Sequence, residues 1–169
     1  MTTVVVDRKL RAMAGDKQMT CDNQRAKHVK VSKVEDVIIG YCGVSEAGVA
    51  FKLWYETYLK NDVAIASGLP ANPDRDKHYP ATDDFSALVL HKSGKLYWYG
   101  KLGYGVEVHD RYFGIGSGSD YGLGALYAGA SLEQAVKIAS KLDNKTGMGV
   151  TLLLFDGGEK RGKRTRKST

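Results

Sequence analysis

Thr2 is a residue on which two catalytic groups can coincide. It follows Met1, and an initiator methionine is usually removed when the next residue is as small as threonine. A mature chain beginning at Thr2 carries a free α-amino group beside a hydroxyl, so nucleophile and base sit on one residue. Such an amine titrates at about 7.7–8.0, close to the optimum for a general base at neutral pH. The pair needs help from the rest of the chain. Something must hold and tune the amine, a cation must favour the ionised hydroxyl, an N–H must receive the oxyanion, and the proton needs a route.

The sequence offers candidates for these tasks. Asp16 closes the return strand of a hairpin that opens at the second residue, which brings it back beside Thr2; the plain alternative is a turn aspartate after Gly15. Lys33 shares a strand face with Val29 and Val31. On a buried face it is a desolvated amine in need of a partner; the alternative is a strand-end lysine reaching back to solvent. Lys30 points the other way and is the weaker candidate. Gly43 lies where a strand gives way to a helix, a place where a backbone N–H can donate to an oxyanion and a substrate can approach closely. Simple turn chemistry is its alternative reading.

Other chemistries fit less well. Gly114-Ile115-Gly116-Ser117-Gly118 precedes a helix, but its spacing departs from G-x-G-x-x-G and no βαβ unit surrounds it. His28, His78, His91 and His109 show no metal-ligand spacing to Cys21 or Cys42. There is no serine nucleophile elbow.

The elements that must position these residues read as follows. Residues 3–6 and 10–14 form the opening hairpin, and 28–34 a further strand. Val37, Ile38 and Ile39 lead an apolar strand into Gly40-Tyr41-Cys42-Gly43. Apolar residues at helical spacing from Val44 to Tyr58 predict an amphipathic helix over 45–60. Residues 61–84 hold all three prolines and read as a loop or partly helical excursion. A hairpin returns over 85–89 and 96–99 around Ser93-Gly94, with short strands near Val106–Val108 and 113–116. A helix rich in small residues then ends near Gly129. Ser131 and Gln134 form a capping box for a helix carrying Leu132, Ala135, Val136, Ala139 and Leu142 on one face. A strand over 150–155 follows. This order predicts a layered architecture with antiparallel sheets.

Bulk properties narrow the class. The 169 residues suffice for one domain with a real core, and no apolar run approaches a membrane span. No secretory signal pattern opens the chain. Two cysteines fit reduced thiols in a cytoplasmic protein. The net charge of +6 is uneven: residues 159–169 contribute +5, leaving a body of +1. That tail reads as a solvated, disordered basic terminus or, alternatively, as a weak electrostatic contact for nucleic acid or another acidic surface, and it lacks the aromatic residues that would stack on bases.

Taken in order, these residues resemble a known family. Thr2-Thr3-Val4-Val5 followed by Ala14-Gly15-Asp16-Lys17-Gln18-Met19-Thr20 is similar to the start of mature proteasome β-type and HslV peptidases. Val31-Ser32-Lys33-Val34 resembles their Val-x-Lys-Val strand, residues 114–122 their G-S-G segment, and residues 135–149 their helix and Asp-x-x-[Ser/Thr]-Gly element. The resemblance covers roughly residues 2–60 and 85–155. It implies an α+β fold, a four-layer αββα sandwich of two antiparallel sheets flanked by helices, with residues 1–158 as a single peptidase domain and 159–169 as a tail.

It also implies a self-compartmentalising threonine endopeptidase that forms an acyl-enzyme on Thr2. Asp16 and Lys33 would be the tuning charge pair and Gly43 the oxyanion donor. Ser117, Asp143 and Thr146 would support the amine and its proton traffic. Thr20 and Ser45 would align the substrate backbone, and Met19, Val31, Glu35 and Tyr41 would surround the specificity pocket. The implied partners are polypeptide substrates, further copies in a homo-oligomeric double ring, and an ATP-dependent unfoldase. No cofactor is required for hydrolysis, although a structural cation is compatible with the pattern. Two alternatives are a non-catalytic ring subunit of the same fold and a nucleic-acid-associated protein acting through the tail.

Overall fold

Alternation along the first hairpin builds two cores at once. In β1 (Val4–Asp7) Val4 and Val6 turn to one face and Val5 to the other; in β2 (Ala12–Asp16) Met13 joins the first face while Ala12 and Ala14 join the second. The strands pair antiparallel with Val5 opposite Ala14. Asp7 fixes the turn. Its buried carboxylate accepts the N–H groups of Lys9 and Leu10 at 3.0 and 3.2 Å and pairs with Arg111 at 3.1 Å. The computed structural model describes residues 2–21, 23–59, 78–80 and 82–156. Most of the 61–84 excursion, Met1 and the basic tail lie outside the described residues.

A second hairpin, β3 (Gln18–Cys21) with β4 (Gln24–Lys27), stands apart as a two-stranded ribbon. Sequence periodicity does not reveal it, because β4 is exposed throughout and has no apolar face. The strand expected over 28–34 begins only at β5 (Val31–Val34), while β6 (Val37–Gly43) runs the full length of its apolar segment. Helix α1 (Ser45–Trp54) follows, continued by one π-helical turn (Tyr55–Leu59), close to the expected 45–60. Next come β7 (Phe85–His91), β8 (Leu96–Tyr99), β9 (Gly105–Val108) and β10 (Tyr112–Ile115). The chain then forms α2 (Ser119–Tyr127), α3 (Leu132–Leu142) and β11 (Val150–Leu154). The capping box forms as expected: Ser131 Oγ accepts from Gln134 N at 3.3 Å, and Gln134 Oε1 accepts from Ser131 N at 3.0 Å.

The larger sheets are antiparallel, ordered β10-β1-β2-β11 and β5-β6-β7-β8-β9. Three hydrophobic layers hold the stack. Val4, Val6 and Met13 meet Ile38, Leu88, Leu90 and Leu96 between the two sheets. On the outer face of the five-stranded sheet, Phe51 and Trp54 of α1 pack on Ile39, Ala87, Val89 and Tyr99. On the outer face of the four-stranded sheet, Val5, Ala12 and Ala14 receive Leu126 of α2 and Leu132, Ala135 and Val136 of α3. The alanines on β2 let α3 approach closely. The result is the αββα sandwich expected from the sequence.

Candidate active site

The site forms where the two sheets meet at one end. Just ahead of β1, the Thr2 carbonyl accepts a hydrogen bond from Gly118 N–H at 3.3 Å. Gly116, in the left-handed region at φ +93°, leaves room for it; a Cβ there would lie 2.0 Å from Thr2 O. Thr2 is 2% exposed, and it lines a cleft of about 610 Å³ together with Gln18, Met19, Thr20, Lys30, Gly43, Ser45 and Ser117, among others. Its neighbour Thr3 is fully buried and does not line the cleft.

Asp16, at the end of β2, has no exposed surface. Its carboxylate accepts the N–H groups of Thr3 and Gln18, each at 2.9 Å, and that of Gly147 at 3.1 Å. Both oxygens also lie 3.1 Å from Lys30 Nζ. Lys30 is 3% exposed and donates in addition to the Gln18 carbonyl. Burial lowers its pKa, against the opposing pull of Asp16. The charge pair is therefore Asp16–Lys30 and not Asp16–Lys33. Lys33 is exposed and places its ammonium 4.8 Å from the centre of the Phe155 ring.

The physical reason for the difference is local. Residues 28–30 are a non-strand link and not part of β5, so strict alternation does not extend back through them. Val29 is 55% exposed although Val31 is buried. The link is held by His28 N–H to Lys17 O at 2.7 Å and by Tyr41 N–H to Lys30 O at 3.1 Å, which aims Lys30 inward.

Ser117, Asp143 and Thr146 form a second cluster. Ser117 Oγ and Thr146 Oγ1 donate to Asp143 Oδ2 at 2.5 and 3.0 Å, and Lys145 N–H donates to Oδ1 at 3.0 Å. Burial works to raise the Asp143 pKa, but these hydrogen bonds outweigh it and hold the carboxyl below its ordinary value. Thr146 spends its hydroxyl hydrogen on Asp143, so Thr3 Oγ1 is the donor in the 2.9 Å contact between the two threonines. Gly118 makes room for all of this. A Cβ there would lie 2.0 Å from Thr3 Oγ1 and 3.0 Å from Thr146 Oγ1, although its φ of −92° suits any residue. Gly118→Ala is expected to cost about 1–3 kcal/mol through overpacking, read as a lowered thermal midpoint; an unchanged midpoint would show that the cluster yields freely.

Gly43 ends β6 at φ +95°, and a Cβ there would lie 1.5 Å from the Asp84 carbonyl oxygen. No other residue fits, and Gly43 lines the same cleft as Thr2. Met19, Thr20 and Ser45 line the cleft as expected. Three expected pocket residues do not. Val31 is 1% exposed in the core between the sheets. Glu35 is exposed in the turn between β5 and β6 at φ +49°. Tyr41 is buried beneath Gly48 of α1, with its hydroxyl 2.5 Å from His28 Nε2. Sequence reasoning ranks Lys30 below Lys33 and gives no cleft role to Gln18, Cys21 or Cys42, all of which line the cleft. The Cys42 thiol is pushed up to about 11 by burial, so it stays protonated and inert at neutral pH.

No family model and no curated protein matches the sequence. Solved structures do match the fold. BPH from Thiobacillus denitrificans in complex with epoxomicin gives a TM-score of 0.70 at 18% identity, covering 91% of this chain and 98% of that one. Eukaryotic HslV from Trypanosoma brucei gives 0.64 at 18% identity, covering 90% and 98%. The chain shares the four-layer αββα fold of these structures. Anbu from Hyphomicrobium sp. strain MC1 shares it, with a TM-score of 0.63 at 14% identity over 94% and 84% of the chains. In this fold Thr2 lies just ahead of β1 and Asp16 ends β2 of the four-stranded sheet, while Lys30 leads into β5 and Gly43 ends β6 of the five-stranded one. Among the described residues no helix is long and apolar enough to cross a membrane.

Proposed function

We propose that this chain is a threonine endopeptidase whose nucleophile is Thr2 once Met1 is removed. The observation that carries this reading is that Thr2 shares one cleft with Gly43 and with Lys30, whose ammonium is held by the buried Asp16 carboxylate. Thr2 Oγ attacks the scissile carbonyl carbon and passes its proton to the α-amine. Gly43 N–H receives the oxyanion. The C–N bond breaks as the amine returns the proton to the departing peptide nitrogen, leaving an ester on Thr2. Water, deprotonated by the same amine, then releases the second product. Lys30 favours the ionised hydroxyl, and Asp16 keeps that cation in place. Ser117, Asp143 and Thr146 hold the amine and relay its proton. Thr20 and Ser45 align the substrate backbone.

The likeness to BPH and HslV extends the proposal to a homo-oligomeric ring that encloses the clefts, fed with polypeptide by an ATP-dependent unfoldase. Intact-mass analysis before and after incubation with epoxomicin tests the chemistry. The expected result is a chain lacking Met1 that gains one inhibitor, mapped to Thr2. A chain that lacks Met1, gains no adduct and hydrolyses no peptide would instead be a non-catalytic subunit of this fold.

A further inference from the structure

Gln18 is the first residue of β3, 3% exposed, and the mechanism above gives it no part. Its backbone belongs to the charge pair: its N–H donates to Asp16 Oδ2 at 2.9 Å and its carbonyl accepts from Lys30. Its side chain reaches away from that pair. Nε2 lies 3.1 Å from the Asn144 carbonyl and 3.3 Å from Thr20 Oγ1. Gly147 gives it space, since a Cβ there would lie 2.9 Å from Gln18 Oε1.

The chemistry of the partners fixes the roles. The Asn144 carbonyl can only accept, so the amide nitrogen must face it. The second amide hydrogen is then spent on Thr20 Oγ1. With that oxygen accepting, the hydroxyl hydrogen of Thr20 is left to donate, and Thr20 lines the cleft beside Thr2. Asn144 lies in the turn between Asp143 and Thr146, whose N–H also bonds Asp143 O at 3.1 Å. One buried amide thus ties the substrate-facing hydroxyl of β3 to the turn carrying the amine-side cluster.

We infer that Gln18 is a positioning residue: it presents the Thr20 hydroxyl as a hydrogen-bond donor to a carbonyl of the bound peptide and locks the 143–146 turn against the Asp16–Lys30 pair. This inference rests on the peptidase reading, so wild-type hydrolysis and Thr2 labelling are established first; their absence sinks that reading and not this one. Gln18→Met keeps the shape and removes both donors. It is expected to lower kcat/KM by about tenfold or more, from the loss of two hydrogen bonds, with KM raised as well as kcat lowered. Thr20→Val should raise KM in the wild-type background and cost far less in the Gln18→Met background, because the two act through one hydroxyl. Gln18→Glu, of the same shape, sets a carboxylate against the Asn144 carbonyl and on the cleft that holds the Thr2 amine. It should move the acid limb of the kcat/KM profile to higher pH, which a purely structural residue would not do. Wild-type kinetics in both Gln18 variants, or additive losses for Gln18→Met and Thr20→Val, would overturn the inference.

Discussion

Thr2→Ala is expected to reduce peptide hydrolysis by on the order of 10⁴-fold or more while leaving the fold and its assembly intact. The variant keeps the α-amine, Lys30, Asp16 and Gly43 but has no atom to attack the carbonyl. The lost groups are small. Thr2 is held chiefly through its carbonyl and Gly118 N–H, a contact that alanine preserves, so stability should change by no more than about 1 kcal/mol. Thr2→Ser restores hydroxyl and amine together and should recover much of the rate. Steady-state hydrolysis of a fluorogenic peptide, with thermal denaturation in parallel, distinguishes these outcomes. Undiminished turnover by Thr2→Ala would remove the mechanism, because the next hydroxyl, on Thr3, is fully buried and committed to Thr146.

The second large effect separates two lysines three residues apart. Lys30→Met should lower kcat/KM by on the order of 10²–10³-fold, the scale of losing a preorganised charge at the reacting atoms. It should also cost about 3–5 kcal/mol of stability, since it strands the Asp16 carboxylate in the interior without its counter-charge. Adding Asp16→Asn to Lys30→Met removes the stranded charge. The double variant should regain part of that stability, since the amide nitrogen must face a backbone N–H that the carboxylate accepted, and none of the activity, which separates the fold's need for the pair from the reaction's need for the cation. Lys33→Met, on an exposed lysine, should stay within about 0.5 kcal/mol of wild type with unchanged kinetics. An inactive Lys33 variant beside an active Lys30 variant would reverse the assignment.

The same pair of lysines shows where the sequence was legible. Runs of β-branched and other apolar residues mark β1, β6 and β7, and the capping box marks α3, because each of these elements buries apolar side chains that are adjacent or periodic in the chain. Their order gives a layered architecture with antiparallel sheets, and the four-layer arrangement comes from the resemblance. The polar ribbon of β3 and β4 buries almost nothing, so no period announces it; the Asp22-Asn23 dipeptide between two four-residue segments is the signal that was available. Overlooking that ribbon lets a strand be drawn from residue 28, and the alternation then selects Lys33. Lys30 is buried for electrostatic reasons. Hydrophobic patterning cannot report a lysine whose burial is offset by a carboxylate 14 positions earlier in the chain. The expectation that Val31 and Glu35 line the pocket rests on the resemblance and not on any periodicity of the chain.

The Asp16–Lys30 pair joins a strand of the four-stranded sheet to the lead-in of the five-stranded one. Neither half of the sandwich holds a complete reaction centre. A chain emerging during synthesis carries Thr2 first, yet Gly43 and the 143–146 turn come later, and all of them meet only when the layer of Val4, Met13, Ile38 and Leu88 has closed. Under the proposed function, hydrolysis therefore requires that this layer be closed. On that reading a partly folded chain would be harmless to its neighbours, and the onset of activity would serve as a clock for completion of the core.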